Sequence, residues 1–348
     1  MKKKLALLLA LSLVLSVFVV GCGPSEDTSG DADAEQTEEA ADEGTEESSD
    51  SGEKETLNLS FATGGTSGTY YPLGGSIASV WNETIDNVNV TIQPAGASVE
   101  NINRVSSGQV DIVLAMNNIA DQAFKGEGRS FPEPLKSFKA VGVVYPEVMH
   151  IVTTQDSGIE SIADLKGKAV NPGPPGSGTY VTALSILESY GIMPDEINSK
   201  PGSFSDAVTG LKDGTVDAAF AVVSFPASAV KQIATTNPVK ILEVTGEPFE
   251  NLKEKVPFAA QYPIAGGVYE GQEEEATTVA LQAVMYVKED LDDELVYELT
   301  KNLYEKTDEI AKGHKRGNQI KLENAIDGIT TPFHAGAEKY LKEQGILE

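Results

Sequence analysis

The sequence predicts an α/β protein of two similar lobes, joined by two chain crossings and holding a ligand cleft between them. Three observations carry that expectation. The tetrapeptide Ser-Gly-Thr-Tyr occurs twice, at 67–70 and 177–180, each time between a strand-like and a helical run. A second echo, Gly-x-Val-Asp before a short apolar run, falls at 108–111 and 214–217, in the same order. Finally, Val141–Val144 with Met149–Thr153, flanking Tyr145-Pro146, and Thr277–Val287 are β-rich segments placed where the chain would leave one lobe and return to it. Two crossings imply a hinge, and ligands favour the cleft between such lobes.

Taken from the start, Lys2, Lys3 and Lys4 precede an apolar run from Leu5 to Val20, interrupted only by Ser12 and Ser16. That is the charge pattern of a secretory signal, too short for a comfortable span. It ends at Gly21-Cys22, which holds the only cysteine of the chain. The segment resembles a bacterial lipobox, with Cys22 lipidated as the new N-terminus; a free cysteine in an ordinary, discarded signal is the other reading. Residues 23–56 then hold 14 Asp or Glu and one basic residue, Lys54, without apolar periodicity. Such a stretch repels itself and reads as an extended tether.

Residues 57–348 are the part that can fold. Leu57, Leu59 and Phe61 alternate as in a strand, and Leu73, Ile77, Val80 and Trp81 recur at helical spacing. In the second half, Lys168–Val170 reads as a strand and Val181, Leu184, Ile186 and Leu187 as the helix after it. Leu291, Leu295, Val296, Leu299 and Leu303 predict one helix running to near Gly313, and a last helix ends near Leu341. The expected division is 57–147 with 283–348 as lobe I, and 148–282 as lobe II.

Composition removes several function classes. The chain of 348 residues carries 26 Lys or Arg against 53 Asp or Glu, a net charge of −27. That balance opposes binding to a phosphate backbone, so no nucleic-acid partner is expected. A single cysteine excludes an intramolecular disulfide and a cysteine-cluster zinc site. His150, His314 and His334 have no metal-ligand spacing, and no calcium-loop pattern is present. Neither glycine-rich loop has the lysine of a phosphate-binding loop, the dinucleotide glycine spacing or a nucleophile elbow. No catalytic group, metal or cofactor is called, and the chain is not expected to be an enzyme. Glu273–Glu275 and Asp292–Glu294 read as solvated faces at loop and helix starts.

The two loops can still bind. A glycine-rich turn opening a helix presents free N–H groups at the positive end of the helix dipole, with Ser and Thr hydroxyls adding donors. Two such loops facing each other across a cleft could clamp one small anion, Tyr70 and Tyr71 adding flat walls. The plainer reading is a pair of tight strand-to-helix turns.

From residue 57 onward the chain resembles the TAXI class of TRAP-transporter solute-binding proteins. The resemblance rests on Thr63–Gly74 (TGGTSGTYYPLG), Gly96–Asn101 (GASVEN), Gly108–Asp111, Tyr145–His150 (YPEVMH), Ile162–Lys168 (IADLKGK), Gly173–Thr179 (GPPGSGT) and Pro332–Leu341. It implies a two-lobed periplasmic-binding-protein type II fold with two hinge crossings and an interdomain ligand cleft. It also implies an extracytoplasmic, lipid-anchored, monomeric receptor that delivers a small carboxylate or acidic amino acid, glutamate- or dicarboxylate-like, to the permease subunits of a TRAP transporter. A ligand sensor for a membrane signalling partner, or a transferase on the same scaffold, are the alternatives. Met116-Asn117-Asn118 stands where the family usually has Gln-Ser-Asp.

Carried over position by position, the resemblance names Thr66, Ser67, Tyr70 and Tyr71 from the first loop, Ser98, Asn117 and Asn118 from the rest of lobe I, and Ser177, Gly178, Thr179, Ser224 and Phe225 from lobe II. Ser98 could equally cap the helix carrying Val99 and Ile102. Asn117 and Asn118 could be polar turn residues, and Phe225 could pack the core.

Overall fold

The computed structural model describes residues 55–223 and 225–348. The signal segment, nearly all of the tether, Cys22 and Ser224 lie outside the described residues.

The first part of the chain contributes β1 (Leu57–Ala62), α1 (Tyr70–Thr84), β2 (Val88–Gln93), α2 (Ser98–Ser106), β3 (Ile112–Met116) and α3 (Asn117–Lys125). A long strand, β4 (Phe138–Thr154), follows. Next come β5 (Ala169–Asn171), α4 (Gly178–Ser189), β6 (Asn198–Ser199), α5 (Phe204–Asp213), β7 (Ala218–Val223), α6 (Ser228–Ala234), β8 (Val239–Ile241), α7 (Gly246–Lys255) and β9 (Ala260–Ile264). The second long strand, β10 (Ala276–Lys288), returns the chain to α8 (Asp293–Glu305), α9 (Thr307–Gly313) and α10 (Ala335–Glu343).

The strands join in the order β2-β1-β3-β10-β4-β7-β5-β6, with β8 on β4 and β9 on β10. The order is symmetric about its middle. At one end β1 lies parallel between β2 and β3; at the other β5 lies parallel between β6 and β7. The two long strands pair antiparallel at the centre, each also running antiparallel to the parallel set on its own side. β3 pairs with β10 over Ala283–Val287, and β7 pairs with β4 over Val148–Thr153. Pro146, which has no N–H to donate, lies opposite Gln282 beside a register shift at Ala283/Val284, the kind of irregular position a sheet allows proline.

The Gly-x-Val-Asp echo is a structural one. Gly108 and Gly214 both take left-handed backbone, at φ +71° and +70°, just past a helix. In the first copy the Asp111 carboxylate accepts the Ser60 backbone N–H at 2.8 Å. In the second the Asp217 carboxylate accepts the Ala169 N–H at 2.7 Å. Each aspartate therefore ties its own strand to the neighbouring parallel one at the same place in the motif.

The core divides along the same lines. Phe61, Trp81, Leu114, Val144, Met285, Leu299 and Tyr340 pack together from the first and last parts of the chain. Val148, Val152, Leu211, Ile233, Tyr269 and Ala280 form a separate cluster from the middle part. A third cluster, with Val113, Met116, Phe138, Leu187, Phe220 and Val284, runs across the sheet from one half to the other.

Two sequence expectations change here. The helix expected to run to near Gly313 breaks at Lys306, whose φ of −108° and ψ of 28° end α8, so a separate α9 covers Thr307–Gly313. Asn117 and Asn118 are not turn residues closing β3. They open α3 with no intervening loop and are buried.

Candidate functional site

The first Ser-Gly-Thr-Tyr segment lies between β1 and α1. Thr63, at the strand end, is fully buried and donates its hydroxyl to the Gln93 carbonyl at 2.9 Å. Asn101, the last residue of the GASVEN stretch, donates to the carbonyls of Thr63 and Leu114 and so holds this loop against β3. Gly68 N–H closes a turn on Gly65 at 2.9 Å, and α1 begins at Tyr70. The Tyr70 ring points inward, edge-on to Tyr145 at 6.3 Å, and its hydroxyl donates to Glu147 Oε2 at 2.9 Å.

The second segment starts its helix two positions earlier. Ser177 has extended backbone and caps α4, its hydroxyl accepting from Tyr180 N–H at 3.1 Å and donating to the Pro174 carbonyl at 2.7 Å. Proline accounts for the later start: a helix from Gly68 would make Pro72 its fifth residue, where the ring meets the carbonyl four residues back. A cap serves the third helical N–H, which is Tyr180 in α4; the third residue of α1 is Pro72, which has none to serve. Thr69 accordingly makes no side-chain cap bond.

The two segments and β4 meet at one cavity of about 120 Å³. That compares with the ~150 Å³ that takes a benzene-sized molecule, so the room is for a solute of few heavy atoms. Ser67, Gly68 and Tyr70 line it from one side, Ser177, Gly178 and Thr179 from the other. Tyr145 and Glu147 of β4 and Phe220–Val223 of β7 line it as well. With Tyr180 N–H taken by Ser177, the backbone N–H groups of Gly178 and Thr179 are the first-turn donors of α4 at the cavity edge.

Glu147 sets the electrostatics. It is 5% exposed, and burial pushes its pKa up to about 7, with the Tyr70 and Tyr145 hydroxyls pulling the other way. Tyr145 donates to Oε1 at 3.4 Å. Burial, reinforced by the neighbouring carboxylate, holds both phenols well above 10, so they remain donors.

The loop of the second half also reaches the start of α2. The Gly176 carbonyl accepts the N–H groups of Val99 at 3.1 Å and Glu100 at 3.2 Å. The end of α2 is therefore occupied by protein. Ser98 is not its cap: the cap position is Ala97, and the Ser98 hydroxyl accepts from Met116 N–H at 3.0 Å while lining the cavity. A Cβ on Gly178 would come within 2.8 Å of that hydroxyl oxygen and 2.4 Å of Met116 Sδ, so the close approach needs glycine.

Six of the twelve residues named from sequence thus line the cavity: Ser67, Tyr70, Ser98, Ser177, Gly178 and Thr179. Ser224 lies outside the described residues. Thr66 is exposed in the turn and Tyr71 is half-buried, neither of them lining the cavity. Asn117 and Asn118 also lie outside the lining. Asn117 donates to Gly328 O at 3.0 Å and accepts from Gln282 N–H at 3.2 Å, while Asn118 donates to Thr182 at 3.2 Å. Phe225 is half-buried, its ring against His150 and Tyr262, and it does not line the cavity.

Residues not named from sequence complete the lining, chiefly Tyr145, Glu147, Ser203 and Phe204. Glu147 carried a signal, a lone acid between the apolar runs of a crossing strand. So did Ser203, which with Asp206 makes a Ser-x-x-Asp capping box. The three histidines are structural. His150 Nδ1 donates to Val148 O and Nε2 accepts from Tyr269, and burial lowers its pKa to about 4. His314 and His334 receive backbone N–H groups at helix starts. Among the described residues no three His, Cys, Asp or Glu side chains converge on a metal site.

The chain matches the NMT1-like family over residues 61–345. Among solved structures it is similar to PhnD1 of Prochlorococcus marinus in complex with methylphosphonate, at 11% identity and a TM-score of 0.53, covering 83% of this chain and 99% of that one. It is also similar to the alkanesulfonate-binding protein SsuA of Xanthomonas axonopodis pv. citri bound to MOPS, at 14% identity and a TM-score of 0.47, covering 84% and 95%. At such identities the likeness is one of fold. With its symmetric sheet, two shared long strands and a cavity walled from both halves, the chain has the bilobal type II fold of periplasmic binding proteins and belongs to the NMT1-like family.

Proposed function

We propose that this protein is an extracytoplasmic solute receptor that closes two lobes on a small carboxylate or acidic amino acid and hands it to a TRAP-type permease. The observation that carries the reading is the shared cavity, with the free first-turn N–H groups of α4 at its edge and polar side chains from both halves of the sheet. The lobes are 57–147 with 283–348, and 148–282. In support, β3 pairing on β10 begins at Ala283 and β7 pairing on β4 begins at Val148. The TAXI-like sequence stretches are the ground for assigning a TRAP permease, and the lipobox at Cys22 for assigning a membrane anchor.

Thermal-shift and calorimetric titration with L-glutamate, glutarate and succinate test the receptor. A true ligand at a hundredfold excess over its Kd stabilises the fold by ~2.7 kcal/mol, and the radius of gyration falls on binding. If no acidic solute raises the Tm, the carboxylate reading fails. For the anchor, Cys22→Ala moves the protein from the membrane fraction to the medium; retention at the membrane sinks it.

A further inference from the structure

Among the described residues Glu147 is the one acidic side chain of the cavity lining, and none of them pairs it with a cation. Arg316, the cation over the Tyr145 ring, makes no ion pair with Glu147 among the described residues. Its guanidinium lies 5.8 Å from the centre of the Tyr145 ring and donates to the Phe225 carbonyl at 3.0 Å and to Gln319. Each Glu147 oxygen takes one tyrosine hydroxyl, Oε2 from Tyr70 and Oε1 from Tyr145. A carboxylate oxygen accepts twice, so each keeps one accepting site, and Glu147 lines the cavity. The same two tyrosines spend their protons on Glu147 and have none left for a solute.

The cavity lining therefore carries two unlike groups. One is the pair of N–H groups of Gly178 and Thr179 at the positive end of α4. The other is a buried carboxylate without a counter-charge among the described residues, an arrangement costly unless a cation or a proton completes it. A dicarboxylate suits the first group and is repelled by the second. A solute bearing both a carboxylate and an ammonium satisfies both.

We propose that Glu147 receives the ammonium group of the solute, and that the cavity takes a zwitterionic α-amino acid in preference to the corresponding carboxylic acid without the amine. The proposal rests on the reading of this cavity as the solute site, and it sharpens the carboxylate-or-amino-acid alternative to the amino acid.

The test is isothermal titration of the full chain with two matched pairs, L-glutamate against glutarate and L-leucine against 4-methylpentanoate. Each pair differs in the ammonium alone. The wild type is expected to favour the amino acid of whichever pair it binds by at least ~tenfold. Glu147→Gln keeps the shape and removes the charge. It should weaken the amino acid by at least ~tenfold and leave the des-amino partner within about threefold. Equal affinity within a pair, or an unchanged preference in Glu147→Gln, overturns the proposal. Glutarate binding without glutamate also overturns it, while leaving the carboxylate receptor intact. Silence from all four solutes overturns both readings together. Should Glu147→Gln fail to fold, the wild-type preference within each pair still decides.

Discussion

The segments at 67–70 and 177–180 have the same four residues and do different work. In the second, serine caps a helix, glycine lets two chain segments approach, and the tyrosine is half-buried, its hydroxyl without a hydrogen bond among the described residues. In the first, serine lies exposed in a turn, glycine closes that turn, and tyrosine is buried against an acid. A repeated motif fixes a local shape only as far as its neighbours permit. Here Pro72, which a helix begun at Gly68 would hold past its first turn, shifts the helix start from the glycine to the tyrosine, and each residue inherits a new surrounding.

The sharpest way to break that contrast is through the acid under Tyr70. Glu147 titrates at about 7 in the fold against an ordinary 4.5, so the stability it supports is complete below about pH 4.5 and lost as pH rises to about 7. That is on the order of 3 kcal/mol. His150 acts in the opposite sense, its folded value of about 4 adding stability as pH rises towards 6.5. The measurement is therefore a difference. Urea unfolding of wild type minus Glu147→Gln, from pH 4.5 to 7, should fall with pH, because the His150 contribution cancels; a flat difference curve means that Glu147 is not held as described.

Glycine is next. Gly178→Ala would put a methyl against Met116 and Ser98 and should cost about 1–3 kcal/mol. At the matching Gly68 the nearest atom is the Gly65 carbonyl oxygen at 3.3 Å, and Gly68→Ala should cost under ~1 kcal/mol. Similar losses in chemical denaturation would mean that the two glycines are equivalent after all. The serines give the smallest effect. Ser177→Ala loses a helix cap, worth about 1 kcal/mol, whereas Ser67→Ala should stay within about 0.5 kcal/mol. A larger loss at Ser67 would put a cap where none is described.

Much of the architecture was legible because it is periodic or repeated. The Asp111 and Asp217 motifs, the two loops and the long crossing strands are local patterns, and each copy sharpens the other. The far wall of the cavity is not local. Glu147 meets Tyr70 across 77 positions of sequence, and nothing in the order Tyr-Pro-Glu shows that the acid faces a cavity instead of solvent. Asn117 and Asn118 show the converse. Polar residues at a strand end suit a ligand, but the Asn117 amide is taken by Gly328 and Gln282 and the Asn118 amide nitrogen by Thr182, and neither residue lines the cavity. Which use wins depends on segments that a sequence window does not contain. Half of the residues named from the family resemblance line the cavity, and the resemblance missed the residue that sets its charge.

On the proposed reading, the Gly176 carbonyl seated on the start of α2 bears on how firmly the two halves hold together without a solute. Parting them there exchanges two backbone hydrogen bonds for water, each worth a net ~0.5–1.5 kcal/mol. A solute that closes two lobes would then not have to supply the whole cost of closure, and its apparent affinity would depend on the resting population of the closed form. The proposed permease, if it recognised the closed shape alone, would be visited by empty receptors as well as loaded ones. Loosening this one carbonyl would trade affinity for a cleaner distinction between the two.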